Sequence, residues 1–163
     1  MQILAVFFLS YDRILAMPKI TPRQFETYLS LIENSVGTEM FKNLYIDRDG
    51  AKEDATKDGW FSCAFYASSI LVVCKYIKEI HATVSSTVKD LKNSGWNEIS
   101  EPVIGSIIVW KPNRETGHYH LGFYVADKTV ISNDSFKKVP VKHDWLFDGK
   151  REIDVILWNP SIA

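Results

Sequence analysis

A cysteine opening an apolar helix and two histidines opening a later strand are the residues of this chain whose types and spacing suit chemistry. Cys63 stands in Gly59-Trp60-Phe61-Ser62-Cys63-Ala64-Phe65-Tyr66-Ala67-Ser68-Ser69-Ile70-Leu71-Val72-Val73. That stretch reads as a turn running into a helix apolar on nearly every side, and so packed in the middle of a core. Unpaired N–H groups at a helix start and the positive end of its dipole favour thiolate over thiol, which places Cys63 as a nucleophile. The plainer reading is a small buried hydrophobe. A working thiol nucleophile also needs an imidazole to handle its proton and a third polar group to fix the ring. His120, at the start of His118-Tyr119-His120-Leu121-Gly122-Phe123-Tyr124-Val125, is the candidate base, and His118 projects from the same sheet face as its rival.

The third group belongs on the next strand. A two-residue loop at Asp127-Lys128 puts Asn133 on the face of His120, whereas a three-residue loop presents Ser132; Asp134 is a further candidate. Asn133 is preferred, because an amide oxygen accepts from an imidazole N–H while staying neutral. Its competing role is as a turn residue in Ser132-Asn133-Asp134-Ser135. The backbone N–H of Cys63 is a candidate oxyanion donor, with Ser62 and Tyr66 as extra donors, although Tyr66 lies a helical turn in and also suits the core. Trp60, Trp110 and Trp145 are candidate walls of a groove, and equally candidates for core or rim.

Other site chemistries fit poorly. Zinc held by His118, His120 and Cys63 lacks any Cys-x-x-Cys or His-Glu-x-x-His spacing, so no metal is expected. Asp47-Arg48-Asp49-Gly50-Ala51-Lys52-Glu53-Asp54 has its glycine too early for a calcium loop and lacks the closing bidentate Glu; it reads as an exposed loop leading to Cys63. Cys63 and Cys74 fall on one predicted helix about 16 Å apart along its axis. A disulfide needs Cα atoms within about 7 Å, so none is expected.

The elements that must position these residues follow in order. Thr21-Pro22-Arg23-Gln24 offers an N-cap, a proline at the first helical position and a Gln to close a capping box, with Phe25, Leu29 and Ile32 at helical spacing and an end near Asn34 to Gly37. The Cys63 helix runs to Tyr76 or Ile77. After the connector holding His81, Thr83 caps another helix that carries Val84, Val88 and Leu91 and stops at Asn93-Ser94-Gly95. Beyond Pro102 the spacing becomes that of strands: Val103 to Trp110, His118 to Val125, Thr129 to Asn133, and Glu152 to Trp158. His143-Asp144-Trp145 reads as a loop over the sheet edge, and Lys137, Lys138 and Lys142 as a solvated edge. Helices first and strands second imply an α+β domain, with N-terminal helices on one face of a small antiparallel sheet or half-barrel.

The chain has 163 residues, enough for one domain with its own core, assigned to residues 17–163. Its 19 basic against 20 acidic side chains leave a net charge of -1, without the basic field typical of nucleic-acid binders, so nucleic acid is not an expected partner. Residues 1–16 hold an apolar run, Ile3 to Leu9, too short to span a bilayer. With no Lys or Arg ahead of it the run is a poor signal peptide, and an upstream extension of a chain starting at Met17 fits as well. A cytoplasmic address and export to the cell envelope both stay open, as does the oligomeric state.

Cys63 opening an apolar helix, the strand Gly105-Ser106-Ile107-Ile108-Val109-Trp110, a polar loop, and His120-Leu121-Gly122-Phe123-Tyr124-Val125 before a short turn together resemble the papain-like NlpC and CHAP superfamily. The resemblance covers residues 59–133 and lies in order and texture. It departs from the family at Ser62, at Ala64-Phe65 and at Ser106. It implies a papain-like fold and a cysteine peptidase or amidase acting on a peptide or amide bond, as many members do in bacterial peptidoglycan, without a cofactor. Cys63 would be the nucleophile, His120 the base and Asn133 the orienting group, with Trp60, Tyr66, Trp110 and His118 on the substrate. A non-catalytic binding module on the same fold, or a thiol acyltransferase, are the alternatives.

Overall fold

The computed structural model describes residues 20–163, so the expectations for residues 1–16 lie outside the described residues. The described residues form a mixed α+β fold, with three α-helices, a small two-stranded sheet and a six-stranded antiparallel sheet. Helix α1 (Gln24–Asn34) starts on Arg23 without a side-chain cap, so Thr21 does not play the capping role its sequence suggests. Tyr28 and Ile32, one turn apart, are its fully buried residues.

The charged segment expected as a loop is a hairpin instead. Strands β1 (Tyr45–Arg48) and β2 (Ala51–Asp54) pair across Asp49-Gly50, both at positive φ (54° and 82°), the geometry of a tight two-residue hairpin turn. Asp54 then gathers the chain: its carboxylate accepts from the N–H groups of Leu44, Thr56 and Asp58.

Helix α2 (Cys63–Val73) is the apolar helix, with Ala64, Tyr66, Ala67, Ser68, Ile70 and Leu71 all buried. It stops earlier than expected. Lys75 turns left-handed (φ 59°), and the N–H of Tyr76 returns to the carbonyl of Leu71 at 2.8 Å, closing the helix before Tyr76 and Ile77, which pack in the core beside it. Helix α3 (Val84–Asn93) begins as expected on Thr83, whose hydroxyl accepts from the N–H of Ser86. It ends where Gly95 takes φ 89°.

The larger sheet has the order β3-β8-β4-β5-β6-β7, built from Asn97–Glu98 (β3), Ile107–Trp110 (β4), His120–Ala126 (β5), Thr129–Asp134 (β6), Val139–Asp144 (β7) and Ile153–Trp158 (β8). Strand β4 is shorter than the β-branched run suggests, because Gly105 turns the chain at φ 87° just ahead of it. Lys142, His143 and Asp144, expected on a solvated edge and in a loop, belong to β7, paired along its whole length with β6. One face of the sheet carries Ile107, Val109, Leu121, Phe123, Ile131 and Leu157 into the main core with α1, α2 and α3. The other carries Ile108, Trp110 and Val130 into a smaller cluster roofed by Trp145, Phe147 and Ile153. Among the described residues no helix is long and apolar enough to cross a membrane.

Candidate functional site

Cys63 is the first residue of α2 and half-buried, whereas Cys74 at the far end is buried; neither is in a disulfide. Ser62 ahead of it offers no cap to the helix; its hydroxyl is spent on the carbonyl of Phe41. The helix start was expected to depress the thiol. Burial pushes the Cys63 thiol up instead, and outweighs the N–H groups of Leu121, Ala64 and Cys63 and the Arg151 guanidinium, which all favour thiolate. The thiol lines a cavity of about 340 Å³ with Phe61, Ala64, His118 and Tyr119.

Strand alternation sorts the two histidines and their neighbours. Leu121 points into the main core, and its backbone N–H lies against the Cys63 sulfur. His120, one residue earlier, therefore projects to the other face, beside its cross-strand partner Trp110, with ring centroids 5.5 Å apart. No hydrogen bond joins His120 to Cys63; the Arg151 guanidinium is charged close to both. His118 lies ahead of the strand and packs at a tilt against Phe61, ring centroids 4.8 Å apart, and both line the Cys63 cavity.

The group that holds His120 is Ser132, the alternative to Asn133. Its hydroxyl oxygen lies 2.8 Å from His120 Nε2 and 2.7 Å from His143 Nε2. Of the two loop lengths considered, the hairpin takes the two-residue one, Asp127 and Lys128, both left-handed (φ 44° and 61°). The register nevertheless shifts between Tyr124 and Ala126, and that bulge brings Ser132 rather than Asn133 onto the face of His120. Asn133 faces the other way, and its amide donates to the carbonyl of Gly59 at 2.8 Å, tying β6 to the segment ahead of Cys63. Asp134 accepts from the N–H groups of Phe136 and Lys137 in the following turn.

The proton positions follow from the acceptors. His143 Nδ1 lies 2.8 Å from the carbonyl of Asp144, which can only accept, so Nδ1 carries the hydrogen. A neutral His143 then accepts from the Ser132 hydroxyl through Nε2, and the Ser132 oxygen accepts from His120 Nε2–H. His120 Nδ1 is left as the basic lone pair. Both rings are kept neutral by burial: His120 falls to about 3, with Arg151 and His143 adding to the effect, and His143 is also lowered.

The aromatic candidates are mostly structural. Tyr66 is fully buried and bonded to Ser35 at 2.8 Å, so it belongs to the core and does not face a substrate. Trp110 is fully buried beneath His120 and His143 and donates to the carbonyl of Trp145 at 2.7 Å; it supports the rings rather than walling a groove. Trp60 is 38% exposed and packs edge-on against Phe136 at 5.2 Å, a rim position.

Sequence reasoning missed two residues. His143 has a signal, since it lies in the short polar-aromatic run ahead of Trp145, but Pro140 hides the strand that carries it. Arg151 had none: it stands in a polar segment between β7 and β8, and only the fold carries it back to His120 and Cys63. No protein-family model matches the chain, and no curated protein sequence matches it significantly.

Proposed function

We propose that the protein is a cysteine-dependent hydrolase of the papain-like NlpC and CHAP type, cleaving a peptide or amide bond. One observation carries this reading: Cys63 at the start of the buried helix rests against the N–H of Leu121, the residue next to an imidazole whose Nε2–H is held by Ser132. Thiol and imidazole both rest neutral, so the thiol must lose its proton as it attacks. The sulfur adds to the carbonyl carbon, its proton passes through His120 Nδ1 to the leaving amine, and the C–N bond breaks. Water, deprotonated by the same nitrogen, then releases the acyl group as a carboxylic acid and restores the thiol. The Cys63 N–H, lacking an intrahelical acceptor at the helix start, is the nearest oxyanion donor. Peptidoglycan peptides are the substrate class that the family resemblance suggests.

Iodoacetamide at neutral pH tests the nucleophile. Cys63 should be modified well before Cys74, which is only 3% exposed, and His120→Ala should remove the difference. Equal slow rates would leave the hydrolase without a nucleophile. They would favour the second reading, a binding module on the same scaffold, which draws on the missing hydrogen bond between Cys63 and His120.

A further inference from the structure

We propose that the substrate of this site is an anion, a peptide or amide bearing a carboxylate that the Arg151 guanidinium receives while the scissile carbonyl lies at Cys63. The inference rests on the reading of Cys63 as the nucleophile and adds the charge of what it attacks.

Among the described residues Arg151 has no answering anion: no carboxylate lies within ion-pair distance of it, and its Nη1 is buried with no hydrogen-bond partner. A desolvated guanidinium nitrogen left unpaired is costly, and native folds rarely keep one unless something else completes it. The guanidinium lies against the Phe147 ring, its carbon 5.5 Å from the centroid. It lines a cavity of about 290 Å³ together with His120, Ser132 and His143. Asp134 lines the same cavity, but its carboxylate already accepts from two backbone N–H groups.

The approach to Arg151 is also positive. A groove of about 530 Å³ beside it is lined by Lys111, Arg114, Lys150 and Arg151, with Glu152 the acid among them and already paired with Lys111 at 2.8 Å. In a chain of net charge -1, that local excess favours an incoming anion. The planar fork of an arginine suits a carboxylate in particular, which it can hold by two parallel hydrogen bonds.

Two alkylating agents that differ only in charge test this. With iodoacetate or iodoacetamide the Cys63 sulfur displaces iodide, one S–C bond forms, and the thiol proton is released. The ratio of the iodoacetate rate to the iodoacetamide rate at Cys63 should be about tenfold higher in the native protein than in the denatured chain, a preference of about 1.4 kcal/mol. Arg151→Met should bring the ratio down to the denatured value. In the wild-type protein, needing no variant, propionate should slow the iodoacetamide reaction and propionamide should not. A fast iodoacetamide reaction with no preference for iodoacetate overturns the anion and leaves the nucleophile standing. Equal loss of both rates in Arg151→Met, with the ratio kept, also overturns it, because Arg151 would then serve the thiolate alone. A Cys63 inert to both reagents overturns the hydrolase reading and this inference with it.

Discussion

The Ser132 hydroxyl lies 2.8 Å from Nε2 of His120, and through the same oxygen a second imidazole, His143, is joined to the first. Removing that oxygen strands a donor on one ring and an acceptor on the other. Ser132→Ala should therefore lower stability by about 1–3 kcal/mol in a denaturant titration, the usual cost of a buried polar group left unpaired. Nitrogen-15 shifts of the His120 ring should show an Nε2–H tautomer in the wild type and a mixture in the variant. A single unchanged tautomer would mean that Ser132 does not fix the ring.

Acid should destabilise the protein well before its carboxylates titrate. In the unfolded chain His120 takes up a proton near its ordinary 6.5, whereas burial holds it neutral in the fold down to about 3. Between those values the unfolded state binds the extra proton, so stability falls as pH drops through that window, by up to about 1.4 kcal/mol per pH unit for one such group. His143 is lowered too and acts in the same direction. Above about 6.5 these two groups contribute no slope. Melting temperatures recorded from pH 8 to pH 4 should show the bend, and His120→Gln should flatten it.

Gly122→Ala should reach the site through the backbone. A methyl group there would come within 2.6 Å of Ser132 Cβ and 2.8 Å of the Ile131 carbonyl, and β6 cannot yield without moving. The expected loss is about 1–3 kcal/mol, as for other overpacked positions. The tautomer signature of His120 should be disturbed as it is in Ser132→Ala.

Asn133 ties β6 to the carbonyl of Gly59, four residues ahead of the thiol. Asn133→Ala should cost about 1 kcal/mol. Hydrogen exchange at Trp60 and Phe61 should quicken, with α3 unaffected. Asn133→Asp, which sets a carboxylate against that carbonyl, should be the more damaging variant.

Much of the positioning was legible in the sequence. The Cys63 helix, the Thr83 cap and the strand carrying His120 follow from local rules of periodicity and capping. What could not be read depends on partners distant in the chain. The bulge near Val125 carries no signature of its own, yet it exchanges Ser132 for Asn133 at His120. Strand β7 reads as a polar edge because Pro140 is its one buried residue, and a proline argues against a strand; it is tolerated because β7 lies at the sheet edge. The thiol's response to its surroundings also needed the fold: a helix start lowers it and burial raises it, and only packing shows that burial prevails.

Adjacent residues of β6 serve opposite faces of the sheet, Ser132 towards the two imidazoles and Asn133 towards the segment that delivers the cysteine. Gaining or losing a single codon in this strand would exchange the two duties and disable both at once, while the exposed turn from Asn113 to Gly117 is free to lengthen. Length variation in descendants of this gene should therefore spare β6 and collect in that turn.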